Sequence, residues 1–399
     1  MKLVRIQPEA IVLGQPLPHA LRTEDGSLLA SKGYVIRNRP ELDMLHEKRA
    51  IFIELPSAIS RAAGARLNAL LNQDTTLGEI AESDLAELKP LRSSSVPERD
   101  DRIDWQSMQL RANWVLRDVN SPEAMLRLRQ LQHDLSRQVL RHPDASLLAL
   151  IHLSATDTEL YSATHALLVS TMCMLAARDV LGWDEEHQHI LGNAALTMNF
   201  AMTEMQDQLA KQKQPPSSEQ KEVIDQHAEV SVQLLQQLGV TDSRWLDAVF
   251  HHHSAPSGPL KGRDIQLQMA RLIQRADVFS ARLAPRAARA GMTTPSALQA
   301  AYFDEKRQVD EAGAALVKVV GIYPPGSFVR LVNNEVAVVV KRGANTTTPK
   351  VAVLVNKAGI PTGEPIVRLT GLSDYRISAS LPQGDVKVHF DLNRMLLLV

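Results

Sequence analysis

The sequence predicts a mainly α protein: a helical bundle flanked by a small N-terminal mixed-β module and a small C-terminal β domain. Three observations carry that prediction. Apolar residues recur at helical spacing through residues 107–320. Upstream, Asp25-Gly26 lies between the runs Ala20-Leu21-Arg22 and Ser27-Leu28-Leu29, a strong short-range hairpin signal. Downstream of Gly321 the period changes to alternation, in β-branched runs punctuated by turn residues. The boundaries that follow are 1–55 for the N-terminal module, 56–106 for a linker, 107–320 for the helical domain and 321–399 for the C-terminal β domain.

Taken in order, the N-terminal module adds one short helix at Pro40-Glu41-Leu42-Asp43-Met44-Leu45 and a strand at Ala50-Ile51-Phe52-Ile53. The linker contains the polar run Arg92 to Asp101, rich in serine and charge. In the helical domain, Ser121-Pro122-Glu123 reads as a helix start, with serine at the cap and proline in the first turn. Met125, Leu128 and Leu131 follow at core spacing. The helix from Leu160 stops at Gly182, and Asp184-Glu185-Glu186 puts negative charge at the start of the next one. A polar loop from Lys211 to Glu219, with Pro215-Pro216, separates the Met198 helix from the His227 helix. Strands are expected at Phe328 to Leu331, Val336 to Val340 and Val351 to Val355, with turns at Asn333-Asn334 and Lys357-Ala358-Gly359.

Composition narrows the function. A chain of 399 residues is long for one core, and 44% hydrophobic with 22% charged residues are ordinary globular values. The formal net charge of -1 gives no reason to expect nucleic acid or an anionic membrane as a general partner. The single cysteine, Cys173, lies in the apolar run Leu167 to Leu175 and reads as a buried, inert thiol in a reducing compartment. No run of about 18 uncharged apolar residues occurs and no signal-type segment follows Met1, so no membrane span and a cytoplasmic location are expected.

One constellation carries chemistry. His165, His227, the triplet His251-His252-His253 and Asp277 fall on what read as successive helices, and helical bundles build metal sites by converging such groups. The leucine and methionine stripe Leu167, Leu168, Met172, Leu175 reads as core packing. His251 reads as a neighbour of the pair beside it, since adjacent helix residues do not share a face.

The order of these pieces resembles the HD-GYP domain, a bacterial branch of the metal-dependent HD phosphohydrolases that cleaves cyclic di-GMP. Tyr161-Ser162-Ala163-Thr164-His165 resembles the first-histidine helix, and Ala194-Ala195-Leu196 the lead-in to the histidine-aspartate pair. Ile224-Asp225-Gln226-His227-Ala228 resembles the next histidine's helix, with alanine where proline is usual. Val249-Phe250-His251-His252-His253 resembles the double-histidine segment, Leu260 to Ile265 the region just past the GYP loop, and Arg275-Ala276-Asp277-Val278-Phe279 the terminal aspartate's helix. Ile322 to Ser327 resembles the exit from that domain. The resemblance implies an HD-type helical bundle. It also implies metal ligation by His227, His252 and His253 at one position, with His165 and Asp277 as remnants of the other. Arg286 and Arg289 would stand where the family carries basic residues near the substrate phosphate.

The departures from the family pattern bear on activity. Met198 and Asn199 occupy the positions of the adjacent histidine and aspartate. In the family that aspartate bridges two metal ions; an amide is a poor bridge, and a thioether suits such ions badly. Met202 stands where the family has lysine, and Ser254 to Pro259 is shorter than the glycine-rich GYP loop and lacks its tyrosine. Paired-metal hydrolysis needs a bridged hydroxide and charge stabilisation at both reacting oxygens, and groups for both tasks are gone. Two readings of the histidines stay open: polar residues satisfied by hydrogen bonds or water, or a residual site for a single zinc, iron or manganese ion. Arg286 and Arg289 are likewise either solvated surface arginines or phosphate ligands.

The expected function is a non-catalytic HD-GYP-like signalling or scaffolding component of the cyclic di-GMP network, with cyclic di-GMP or another signalling protein as partner. The alternatives are a metal-dependent phosphodiesterase of reduced activity on cyclic di-GMP, and a structural adaptor like the related HDOD modules with no small ligand.

Overall fold

The computed structural model describes residues 2–6, 11–17, 19–23, 28–30, 34–36, 51–55 and 104–399. The short helix expected at Pro40 to Leu45, the Asp25-Gly26 turn and the polar linker lie outside the described residues. The chain divides into two compact units, Met1–Met108 and Gln109–Val399.

In the first unit β1 (Lys2–Ile6), β2 (Leu21–Arg22), β3 (Leu28–Ala30) and β4 (Ile51–Leu55) form a four-stranded antiparallel sheet in the order β1-β4-β2-β3. β2 and β3 pair as the hairpin signal predicts, Leu21 opposite Ala30. Among the described residues, Ile11, Leu17, Leu21, Ala30, Ile36, Ile51 and Ile53 are its buried apolar residues up to β4.

The second unit is mainly helical with a small sheet. Its helices are α1 (Trp105–Val115), α2 (Ala124–Arg141), α3 (Pro143–Thr156), α4 (Tyr161–Asp179), α5 (Glu185–Thr197), α6 (Thr203–Lys211), α7 (Ser218–Gln237), α8 (Ser243–Phe250), α9 (Ile265–Leu283), α10 (Thr294–Tyr302) and α11 (Glu311–Val320), with the short α12 (Leu392–Leu396) near the C-terminus. No helix among the described residues is long and apolar enough to cross a membrane.

Local chemistry sets the helix ends. Gly182 takes φ +65° just past α4, a conformation that costs glycine little. The Asp184 side chain accepts from His187 N at the start of α5. Ser217 and Gln220 form a reciprocal capping box on α7. The expected start at Ser121 is displaced: the helix begins at Ala124, and Ser121 Oγ accepts from Glu123 N at 3.3 Å inside the preceding turn. Proline at 122 belongs to that turn rather than to the helix.

α4 is buried from Tyr161 to Ala177 and forms the centre of the bundle. α5 lies close against it because Gly192 has no side chain there; a Cβ would meet Met174 Sδ and Gln132 Nε2 at 2.9 Å. Ser170 Oγ donates to Gly192 O at 2.9 Å across that contact. Trp245 of α8 donates to Thr197 Oγ1 at the end of α5, 2.9 Å away. Arg271 of α9, 1% exposed, bonds Asp310 at the cap of α11 and Ala255 O beyond α8. These bonds fix α8 and α9, which frame the histidine cluster.

The C-terminal sheet is β5 (Phe328–Leu331), β6 (Val336–Lys341), β7 (Lys350–Val355), β8 (Pro361–Leu369) and β9 (Ile377–Leu381), antiparallel in the order β8-β7-β6-β5-β9. Asn334 takes φ +68° in the β5–β6 turn. Val329, Leu331, Ala337, Val339, Val351 and Val353 form its core. Arg342 at the end of β6 bonds Asp144 of α3 at 2.6 Å, tying sheet to bundle within one unit.

Candidate metal centre

His227 projects from α7, and the triplet is not helical. His251 is the C-cap of α8, and His252 and His253 lie in the turn after it, closed by Ser254 N and Ala255 N donating to His251 O. A turn, unlike a helix, allows adjacent side chains to converge. His227, His252 and His253 each offer a ring nitrogen within 4.8 Å of the others. His251 stays outside, its ring 3.2 Å from Ser254 Oγ.

Two of the three rings are fixed by the backbone. His227 Nδ1 meets Ile224 O at 2.5 Å and His252 Nδ1 meets Val249 O at 2.6 Å, so each Nδ1 carries the proton and each Nε2 keeps its lone pair. The two Nε2 atoms face each other at 3.1 Å. Gln274 of α9 donates to His253 O at 3.1 Å and holds that turn in place. Burial pushes His252 down to about 3, helped by the charges of His253 and His227, and burial also lowers His227. Both are therefore neutral near neutral pH. His252 and His227 are buried whereas His253 is exposed, so the cluster opens to solvent on the His253 side.

His165 and Asp277 stand beside this cluster but turn toward each other. His165 Nε2 lies 2.8 Å from Asp277 Oδ1, and His165 Nδ1 lies 2.9 Å from Ser280 Oγ. Burial alone would raise Asp277, but the His165 bond and the imidazoles His253 and His252 outweigh it and hold the carboxyl down at about 2. Tyr161 stacks on His165 with ring centroids 5.6 Å apart, and Arg286 donates to Tyr161 Oη at 2.9 Å. Burial raises the Tyr161 phenol against the pull of Arg286. Arg289 donates to Ala284 O at 3.2 Å and to Ala281 O. Among the described residues neither arginine forms an ion pair, and the Nε of each is buried without a hydrogen-bond partner.

Met198 is buried at the end of α5, and Asn199 begins the one-turn 3-10 helix Phe200–Met202, its carbonyl accepting from Met202 N. Sequence reasoning assigned no role to Tyr161, Ser280 or Gln274. The signal for the first two was present: Tyr161 lies four residues before His165 and Ser280 three after Asp277, spacings that share a helix face. Gln274 acts through a backbone carbonyl on another element, and no sequence spacing reveals that.

No family model matches the chain. It is 26% identical over 251 residues to "Cyclic di-GMP phosphodiesterase PA4108" of Pseudomonas aeruginosa, an alignment that takes in 60% of this chain and 58% of the relative. The chain thus spans less than two thirds of that relative's length. The solved structure "Bd1817, a HDG"Y"P protein from Bdellovibrio bacteriovorus" is similar at a TM-score of 0.44 and 14% identity, over 79% of this chain and 98% of that one.

Proposed function

We propose, for a chain that belongs to the HD-GYP family, a signalling role in cyclic di-GMP regulation in which paired-metal hydrolysis has given way to a three-histidine pocket for one divalent ion. The observation that carries the reading is the cluster His227, His252 and His253, with ring nitrogens within 4.8 Å of one another. The donors fit one zinc, iron or manganese ion: two rings are neutral, and their Nδ1 atoms are held on carbonyls. Such an ion supplies Lewis acidity and acidifies bound water.

The second position is where catalysis fails in this reading. By the family resemblance, Met198 and Asn199 replace the bridging pair, and Asp277 is engaged by His165. Arg286 and Arg289, cationic and free of ion pairs among the described residues, suit the phosphates of a bound nucleotide. Nucleotide binding or a protein partner, rather than cleavage, would then carry the signal. The named activity of the Pseudomonas relative supports cyclic di-GMP as the ligand.

The test uses the full chain with cyclic di-GMP and manganese or ferrous iron. Saturable binding by calorimetry without turnover is the expected result. Turnover that disappears in His252→Ala overturns the non-catalytic reading and establishes the second one, a single-metal phosphodiesterase of reduced activity, which the solvent-open side at His253 favours. Absence of any nucleotide binding leaves the HDOD-like adaptor. Metal analysis after loading is expected to give one ion per chain, lost in His252→Ala.

A further inference from the structure

We propose that a cavity of about 360 Å³, where the bundle meets the C-terminal sheet, binds a phosphate monoester through Lys318, Tyr323, Arg342 and Asn345. Its walls are the start of α3 (Asp144), the end of α11 (Lys318), the connector to β5 (Tyr323) and the β6–β7 loop (Arg342, Asn345). The size falls within the range of small-molecule sites, about 300–1,000 Å³.

The polar side chains of the lining offer donors without acceptors. Lys318 is exposed and forms neither an ion pair nor a hydrogen bond among the described residues. Tyr323 packs its ring against the sheet core, and among the described residues its hydroxyl is unbonded. Asn345 Oδ1 accepts from Thr347 N and Thr348 N at 2.9 Å, which leaves both Nδ2 protons without a partner. Arg342 spends Nε on Asp144 Oδ1 and Nη1 on Val319 O, each at 2.6 Å, and keeps Nη2. The one carboxylate in the lining, Asp144, is the one that Arg342 already engages, so two cations share the cavity with one anion. Backbone bonds hold these donors in one place. Ile322 N donates to Thr346 O at 3.1 Å, joining the neighbours of Tyr323 and Asn345, and the Val319 O bond joins Arg342 to the neighbour of Lys318.

A ligand that answers this set carries negative charge and several acceptor oxygens. A phosphate monoester presents three terminal oxygens around a tetrahedral centre, whereas a carboxylate presents two in a plane, so donors from separate elements favour phosphate. A structural clamp would need only Arg342 with Asp144 and Val319 O; Lys318, Tyr323 and the Asn345 amide nitrogen add nothing to that clamp. The carbonyl at the end of α11 that would repel an anion is the one Arg342 covers. The loop is shaped in advance: a Cβ on Gly343 would meet Thr348 O at 2.0 Å, so its backbone closes on itself only with glycine there. Little ordering is then left for the ligand to impose. A phosphate on Nη2 braces the arginine that ties β6 to α3 and α11.

Phenyl phosphate is the probe, titrated into the isotope-labelled full chain and followed by the backbone amide shifts of Gly343, Ala344 and Asn345. Benzoate is the carboxylate arm, and sodium chloride at matched ionic strength is the screening arm. Saturable shifts with a Kd on the order of 1 mM are expected for phenyl phosphate, with benzoate at least about threefold weaker. Lys318→Gln should weaken binding about fivefold and Tyr323→Phe about threefold. Lys318 is exposed and Tyr323→Phe keeps the ring on the sheet core, so both variants keep the fold. Arg286→Gln should leave the shifts at these amides unchanged, which separates this site from the arginine-bearing region near Tyr161. Failure to saturate by about 20 mM, equal shifts from sodium chloride, equal binding of benzoate, or a Kd unchanged in Lys318→Gln overturns the proposal. The readout involves neither metal nor cyclic di-GMP and is independent of the function proposed above.

Discussion

Acid should destabilise the metal-free protein through one buried imidazole. His252 is 0% exposed and its proton affinity falls from the ordinary 6.5 to about 3 on folding. A histidine depressed in this way contributes no penalty above 6.5; as pH falls below 6.5 the unfolded chain takes up a proton that the folded one refuses, and stability drops until about pH 3. At about pH 5 the loss relative to about pH 7.5 is RT ln(1 + 10^1.5), about 2 kcal/mol from this residue alone. His227 is lowered for the same reason and adds with the same sign. Asp277 does not interfere: its depressed carboxyl gives stability present above 3.8 and lost as pH falls from there toward about 2, below the window used. The assay is urea denaturation at the two pH values with a chelator present, since a bound ion would bring its own pH dependence. His252→Asn is the comparison, because its Nδ2 stands in for the ring Nδ1 and still donates to Val249 O but does not titrate. Wild type is expected to lose about 2 kcal/mol more on acidification than the variant. An equal loss in both refutes the argument that burial, rather than exposed charge, sets the state of this ring.

Three further outcomes follow from the framework around the cluster. Asp310→Ala leaves Arg271 buried without its fully buried carboxylate partner and removes the cap on Gly313 N, so thermal denaturation should show a loss of about 3–5 kcal/mol. Gly313→Ala places a Cβ 2.1 Å from Ala301 O, a backbone atom, and should cost about 3 kcal/mol by urea denaturation; Gly192→Ala meets only side-chain ends at 2.9 Å and should cost about 1 kcal/mol. Trp245→Phe removes the bond to Thr197 Oγ1, but that hydroxyl still donates to Asn193 O, so a loss of about 1 kcal/mol is expected in the same assay.

The parts of the fold that local chemistry decides were legible in the chain. Gly182, Asp184 and the strands at Phe328–Leu331, Val336–Lys341 and Lys350–Val355 stand where glycine conformation, capping and β-branched runs put them, whereas Pro361–Leu369 and Ile377–Leu381 carried no such signal. Ser121 was misleading because serine and proline start turns as readily as helices, and here the turn comes first. The site was legible as a set of residues but not as a geometry. Three neighbouring histidines on a helix would diverge; the helix ends at Phe250, and only the turn lets His252 and His253 point at His227. Contacts such as Arg271 with Asp310, or Arg342 with Asp144, join remote segments and leave no trace in spacing.

The arrangement around Asp277 explains how one site can keep its ligand chemistry while its two halves differ. On one side lie three imidazoles, two of them neutral, with the solvent-open edge at His253. On the other side the carboxylate is engaged by His165, which stacks on Tyr161, which accepts from Arg286. Asp277 is electrostatically coupled to His227, His252 and His253, so it favours a cation among them while its oxygen remains bonded to His165. The series from imidazole cluster to guanidinium therefore runs from neutral ring nitrogens to an arginine without an ion pair among the described residues, with a buried phenol and the His165–Asp277 contact between. His165→Leu should expose this division of labour: it removes the ring that contacts Asp277, so divalent-metal affinity at the histidines, read by calorimetry, is expected to rise while the Arg286 bond to Tyr161 persists.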